Sequence, residues 1–456
     1  MHLEEQRSTL EGLKIDADKG FLTMHFNISE YDINEEKLFS YFNSYQGQRY
    51  WFRSKDERYN IVGIGYIKSI SKDKFSSAVM SEEKAALYND IQQVDLDNDL
   101  KGRLSLFGGI KFDDSHKTDE WNQFRHSEFH LSKWQFSLSN NELFYTFENN
   151  GESLTQTFDE IHQILSEIDS HTVQESDKPE LKMMKDIFPE EWKTLVDEAV
   201  DRLDEDAFLK VVLSRQRLIR FDSNISPLFL INRLNDESGT YTIYYEKNES
   251  SFVSKSPEKL FDIKDNALST NAVAGSSERT LDDDENRQSK AFLLSDDKNL
   301  YEHALVRESI VEDLKPYSHY VKYNDIPEIM ENKYIYHLHT PITARLKDDV
   351  DVFQLIGAIH PTPAVGGMPK ALSEAYITEH EFGTRGLYAA PVGIVEENNN
   401  SEFVVSLRSM LVRQRSASLF AGCGIVKASG SEEEFKETSV KFTPMLNVLG
   451  VEWSES

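Results

Sequence analysis

Cysteine is almost missing from this chain: Cys423 is the single one in 456 residues, which excludes an intramolecular disulfide and fits a reducing compartment. Basic charge is also short. Lys and Arg total 50 against 79 Asp and Glu, a formal net charge of −29 that argues against nucleic acid or an anionic membrane surface as the main partner. An anionic ligand would therefore need a locally positive pocket, so each cation set in apolar surroundings gains interest. No apolar run approaches the ~20 residues that span a bilayer, and Met1-His2-Leu3-Glu4-Glu5 lacks the basic-then-apolar pattern of a signal peptide. A cytoplasmic location is expected. A dinucleotide fingerprint is wanting too, since Gly63-Ile64-Gly65 has no third glycine and reads as a strand interior or a bulge. Short repeats and low-complexity segments are not evident.

What is present is ample apolar content for a large core, in one interleaved unit or two to three domains. Residues 1–170 form a strand-rich region, with aromatic-rich candidates at Arg49 to Phe52, Asn60 to Ile67 and Leu104 to Ile110, and no catalytic constellation. The polar stretch Ser170 to Lys178 is the linker candidate. Residues 188–450 make the chemically rich region, opened by an amphipathic helix with Pro189 at its start and Trp192, Leu195, Val196, Ala199, Val200 and Leu203 on one face. Strands are expected at Leu209 to Arg220, Thr240 to Tyr245, Ser251 to Lys255 and Phe403 to Phe420. Helices are expected at Asp283 to Leu294, Asp297 to Leu314, Val352 to Ile359, Lys370 to His380 and Ser431 to Leu449. The absence of a regular βαβ rhythm makes the fold class α+β, with large antiparallel sheets and helices on their outer faces.

Several residues could carry chemistry. In Ser431-Glu432-Glu433-Glu434-Phe435-Lys436-Glu437, Glu434 and Glu437 stack one above the other at i and i+3, an arrangement that suits a hard cation such as Mg²⁺. Ser431 and Glu434 equally fit a capping box. Lys210 is a lone amine in an apolar strand-like run, either an edge-strand lysine or, if desolvated, a neutral general base. Glu258 follows Ser256 and Pro257, which can cap and open a helix; there it would be a proton donor with a raised pKa or a plain first-turn acid. Glu302 lies on an amphipathic helix beside His303, but no HExxH follows, so it reads as a possible oxygen ligand for Mg²⁺ rather than part of a zinc site. His337 is kept as a pocket candidate from the alternating pair His337 and His339. Arg408 suits a carboxylate clamp or a solvent-facing strand position. Gly422 and Gly424 would let backbone N–H groups approach an anion, or make a tight turn. Lys441, four residues after Glu437, fits an ion pair or a substrate contact.

Taken in order, these stations resemble the chorismate-utilising enzymes. The resemblance rests on Leu209-Lys210-Val211-Val212-Leu213-Ser214-Arg215, Ser256-Pro257-Glu258, Ala274-Gly275-Ser276, Glu302-His303, His337-Leu338, His360-Pro361-Thr362-Pro363-Ala364-Val365-Gly366-Gly367, Arg385-Gly386-Leu387-Tyr388, Leu407-Arg408-Ser409, Ala421-Gly422-Cys423-Gly424-Ile425-Val426 and Glu434-Phe435-Lys436-Glu437-Thr438 with Lys441. It implies antiparallel sheets packed as a sandwich. A lysine at position 210 looks like the water-activating base of isochorismate and salicylate synthases, where anthranilate synthases carry glutamine. Ala272-Val273-Ala274-Gly275-Ser276 departs from the Pro-Ile-Lys-Gly-Thr segment of aminodeoxychorismate synthases, which speaks against amination. The chain looks most like isochorismate synthases of the menaquinone branch, with the siderophore branch and salicylate synthases as alternatives.

The resemblance further implies chorismate as substrate, Lys210 and Glu258 as base and acid, and Mg²⁺ on Glu302, Glu437 and Glu434. Gly275, His337, Tyr388, Arg408, Gly422, Gly424 and Lys441 would meet the substrate. A downstream enzyme that consumes isochorismate is the partner it suggests. Leu387 and Phe435 stand where tryptophan is common, Cys423 replaces a frequent alanine and Ser276 a frequent threonine.

Overall fold

Alternation along the strands sends their side chains into two cores. In Arg49–Arg53, Tyr50 and Phe52 join one cluster while Trp51 joins the other; in Ser409–Arg413, Leu411 goes one way and Met410 and Val412 the other. The computed structural model describes residues 2–113, 119–174, 176–205, 208–235, 239–280, 282–331 and 335–452. Within them one hydrogen-bonded ladder runs from Lys210–Phe221 through Ser416–Ile425, Ser409–Arg413, Ser250–Ser256, Tyr241–Lys247, Arg49–Arg53 and Asn60–Lys72 to Ser127–Ser137. It continues through Ser105–Ile110, Pro391–Glu396, Ser401–Val405, Lys259–Lys264 and Ala267–Glu278 to Ile335–Leu346. Every pairing in this path is antiparallel, whereas Phe21–Asn27 and Ile91–Asp95 pair in parallel.

The ladder folds back on itself, so the two runs form packed layers. Phe107 of the second run stacks on Tyr50 of the first at 4.1 Å and meets Tyr245 edge-on at 5.2 Å. Helices Glu35–Tyr41, Leu154–Asp169, Pro227–Leu234 and Thr443–Val448 cover the opposite face of the first run, over Trp51, Val62, Tyr244, Val253 and Met410. Helix Leu154–Asp169 shows why it docks: Phe158, Ile161, Leu165 and Ile168 are all buried. At ~1.5–3 kcal/mol for each such side chain, burial outweighs the marginal stability of an isolated helix of this length. The architecture is α+β, antiparallel layers with helices outside. Among the described residues no helix is long and apolar enough to cross a membrane.

Two expected elements are divided. Phe403 to Phe420 is parts of three strands, Ser401–Val405, Ser409–Arg413 and Ser416–Ile425, because Arg408 and Gln414 take left-handed φ of 47° and 52° that no strand continues through. Ser431 to Leu449 is two helices, Ser431–Lys441 and Thr443–Val448, the second with Pro444 in its first turn.

Candidate active site

The chain changes layer at two adjoining corners, and each presents a charged side chain. Between Ser250–Ser256 and Lys259–Lys264 stands Glu258; between Ser401–Val405 and Ser409–Arg413 stands Arg408. No helix forms after Ser256, contrary to the cap expected there. Its hydroxyl is engaged otherwise, donating to Val405 O at 2.5 Å and accepting from Glu258 N at 3.2 Å. Val405 N donates to Glu258 O and Lys255 N to Arg408 O, both at 3.1 Å, while Ser254 Oγ donates to Leu407 O at 2.6 Å. Backbone bonds thus lock the two corners together. A third segment joins them, as Ala389 N donates to Ser406 O, and Ser406 Oγ lies 2.6 Å from Leu387 O and 2.8 Å from Ala390 O. Ala389 and Arg408, both non-glycine, hold positive φ of 57° and 47°; such conformations cost ~1–3 kcal/mol each and persist where the surroundings over-determine them.

Lys210 opens the strand Lys210–Phe221, which has neighbours on both edges, Ser416–Ile425 on one and Gly367–Met368 with Leu181–Asp186 on the other. The edge-strand reading of Lys210 therefore fails. Burial lowers the pKa of its ammonium, Glu302 opposes that most strongly, Lys441 adds to it, and Glu258 and Glu437 oppose it in turn. Burial also pushes the Glu258 carboxyl up to about 7, against the pull of Arg408, Lys210 and Lys441. Arg408 is desolvated as well, with Tyr388, Glu258 and Glu437 as the neighbours that hold its charge. His337 faces Lys441, Arg408 and Glu437, is lowered chiefly by burial, and donates from Nδ1 to Gly275 O at 3.3 Å. Gly275 sits at a bulge between Ala274 and Ser276 with φ of 73°, which only glycine adopts without strain.

Gly422 and Gly424 lie at the end of strand Ser416–Ile425, beyond Phe420, where pairing with Ser409–Arg413 stops, as the sequence pattern predicts. Their missing Cβ atoms make room for side chains. A Cβ on Gly424 would lie 2.5 Å from Lys210 Cε, and one on Gly422 would lie 2.8 Å from Tyr388 Oη. Tyr388 itself is buried and stacks on Phe420 at 5.6 Å.

On helix Ser431–Lys441, Gly430 takes the cap position and Ser431 the first helical one, so the capping box does not form. Lys441 bridges Glu437 at 2.6 Å, the ion pair its spacing allowed, and donates to Gly422 O at 2.9 Å. Glu434 stands beside Cys423, whose thiol also feels Lys441 and Glu437. One of its oxygens accepts from Ser429 Oγ at 2.7 Å, the other is buried with no hydrogen-bond partner among the described residues, and its charge helps hold up the buried Cys423 thiol. Among the described residues no three His, Cys, Asp or Glu side chains stand close enough together to hold an ion as they are. Glu302, Glu434 and Glu437 nonetheless fit a hard divalent cation in donor chemistry, all three being carboxylates.

One supporting pair escaped sequence reasoning. Arg385 donates to both oxygens of Glu381 at 2.9 and 2.6 Å, to Val365 O at 2.8 Å and to Val212 O at 2.7 Å, while Glu381 accepts from Ser214 N and Oγ. This buried pair ties the Lys210 strand to the loop that leads into Tyr388. Its only sequence signal was Arg385-Gly386 among the resembling stations, to which no role was attached.

The model of a family described as chorismate binding enzyme matches residues 8–450. The chain belongs to that family. Over most of its length this chorismate-binding enzyme is similar to the isochorismate synthase MenF of Bacillus subtilis, 29% identical over 430 residues that cover 91% of each chain. The salicylate biosynthesis isochorismate synthase of Pseudomonas aeruginosa is 36% identical over 260 residues, 57% of this chain and 54% of that one. In structure the chain matches MenF, the menaquinone-specific isochorismate synthase from Escherichia coli, with a TM-score of 0.78, 23% identity, and coverage of 98% of this chain and 99% of the other.

Proposed function

We propose that this chorismate-binding enzyme converts chorismate to isochorismate. The observation that carries the reading is the pairing, in one desolvated group, of a carboxyl raised to about 7 with an amine lowered by burial. Those are the donor and acceptor that replacement of one hydroxyl by another requires near neutral pH. Water adds its oxygen at C2 of the ring, the double bonds shift, and the bond from C4 to its hydroxyl breaks. Lys210, neutral, takes the proton of the attacking water. Glu258, protonated, gives its proton to the departing hydroxyl, which leaves as water.

Arg408, Tyr388 and Lys441 orient the substrate carboxylates, the first from a locked corner and the last from a helix. His337 and the bulge at Gly275 line the same pocket, and Gly422 and Gly424 keep it open for Tyr388 and Lys210. Glu302, Glu437 and Glu434 would hold Mg²⁺, which when bound supplies positive charge to a substrate carboxylate. Similarity over 91% of both chains to the B. subtilis MenF, which shares its name with the menaquinone-specific enzyme of E. coli, supports the menaquinone branch. A single, buried cysteine favours action in the cytoplasm.

The test is to incubate the purified protein with chorismate, with and without Mg²⁺, and to resolve isochorismate, salicylate, anthranilate and pyruvate by chromatography. Isochorismate alone, formed only with Mg²⁺, is expected. Salicylate with equal pyruvate would make the enzyme a salicylate synthase, and no conversion at all would overturn the reading.

A further inference from the structure

A helix is normally held to its sheet by an apolar stripe. Helix Ser431–Lys441 has none: its buried residues are Thr438 and Ser439, with Phe435 partly covered. It nevertheless carries Glu434, Glu437 and Lys441. Besides the bond from Lys441 to Gly422 O and the Lys193–Glu432 ion pair near its ends, its buried anchor is Arg215, a residue of the strand that begins at Lys210. Arg215 donates from Nε to Thr438 Oγ1 at 2.7 Å, and from Nη2 to Phe435 O at 3.0 Å and Ser439 Oγ at 2.6 Å. Nη1 is fixed from behind by Asp186 Oδ1 at 2.6 Å, and the guanidinium plane lies 3.8 Å from the centre of the Phe435 ring. Thr438 Oγ1 passes the link on by donating to Glu434 O at 2.9 Å. Two hydrogen bonds therefore connect Arg215 to the backbone of Glu434.

We propose that Arg215 is a positioning residue that sets the docking of helix Ser431–Lys441 and, through it, the affinity of the helix carboxylates for a divalent cation. The proposal rests on the reading that Glu434 and Glu437 take part in holding Mg²⁺. Its chemistry is specific to a planar fork of donors, because a lysine at 215 would keep the charge but reach at most one or two of the three helix acceptors. Groups that orient metal ligands from behind typically change metal affinity ~10–100-fold when removed.

The experiment measures binding of Mn²⁺ alone, by loss of the free-ion electron paramagnetic resonance signal, to the full-length protein and to its R215K and T438V variants. Chorismate turnover is titrated with Mg²⁺ in parallel. At least ~10-fold weaker Mn²⁺ binding by R215K is expected. The Mg²⁺ concentration for half-maximal activity should rise by the same factor, while turnover at saturating Mg²⁺ stays within about threefold. T438V, which removes the hydroxyl between Arg215 and Glu434 at nearly constant volume, should move both quantities the same way, and it decides the matter if R215K does not fold. Wild-type Mn²⁺ affinity in a folded variant would overturn the proposal, as would a loss of turnover that excess Mg²⁺ does not restore. Failure of the unaltered protein to bind Mn²⁺ would instead strike the metal reading itself, and this inference with it.

Discussion

Replacing Glu258 by glutamine should cripple the reaction and strengthen the fold, and both effects follow from one number. Its carboxyl is raised from 4.5 to about 7, first by burial, against the attraction of Arg408 and two lysines. An acid whose pKa is higher folded than unfolded is no burden while both states are protonated; as pH rises through 4.5 the unfolded chain ionises first, and stability is lost until the folded carboxyl ionises near 7. From that difference the cost is under ~1 kcal/mol at about pH 5 and roughly 3 kcal/mol at about pH 8. Glutamine has the same shape and never ionises, so E258Q should be more stable than the parent by up to ~3 kcal/mol at about pH 8, and by much less at about pH 5. Denaturant unfolding at the two pH values measures this. Turnover of chorismate should fall ~10²–10⁴-fold, the worth of a positioned general acid. An E258Q protein that is less stable at the higher pH, or one that keeps near-normal turnover, would refute the argument.

Other substitutions test the remaining groups. K210R keeps a charge that cannot be given up near neutrality and should lose ~10²–10⁴-fold in turnover, read by the same chromatographic assay. G424A would place a methyl 2.5 Å from Lys210 Cε, so turnover should fall while unfolding midpoints change little; unchanged turnover would mean that Lys210 points elsewhere. Turnover should decline on the alkaline side as Glu258 ionises, and because Arg408 is the strongest influence lowering that pKa, R408Q should move this alkaline limb to higher pH while raising KM. Excess chelator should abolish activity and added Mg²⁺ restore it; full activity without metal would remove Mg²⁺ from the mechanism.

Local pattern was enough for much of the frame. Strands with alternating faces, such as Tyr241–Lys247, and amphipathic helices, such as Pro189–Asp204, stand where period and capping put them. Pattern failed where a tertiary contact decided the outcome. Ser256-Pro257 looks like the start of a helix, but Val405 O claims the serine hydroxyl from 149 residues away. Nothing in Leu407-Arg408-Ser409 announces a left-handed residue, because the bonds that hold it come from Lys255 and Ser254 on another strand. Arg215 and the helix it anchors are 220 or more residues apart, out of reach of any spacing rule. The candidate site was legible as a set of residues through ordered motifs, whereas its electrostatics depend on desolvation, which no window of sequence records.

The locked corners at Glu258 and Arg408 make activity a late event in the life of each molecule. Each corner is a crossing between layers, so the carboxyl and the guanidinium reach their places only once both layers are built and joined. Large proteins commonly fold through collapsed states with native-like secondary structure and incomplete tertiary packing, so an assay of helix or strand content would register little change at the last step. Catalysis registers it. In refolding from denaturant, recovery of chorismate turnover should therefore lag the return of far-ultraviolet circular dichroism, and the lag would time the docking of one layer on the other.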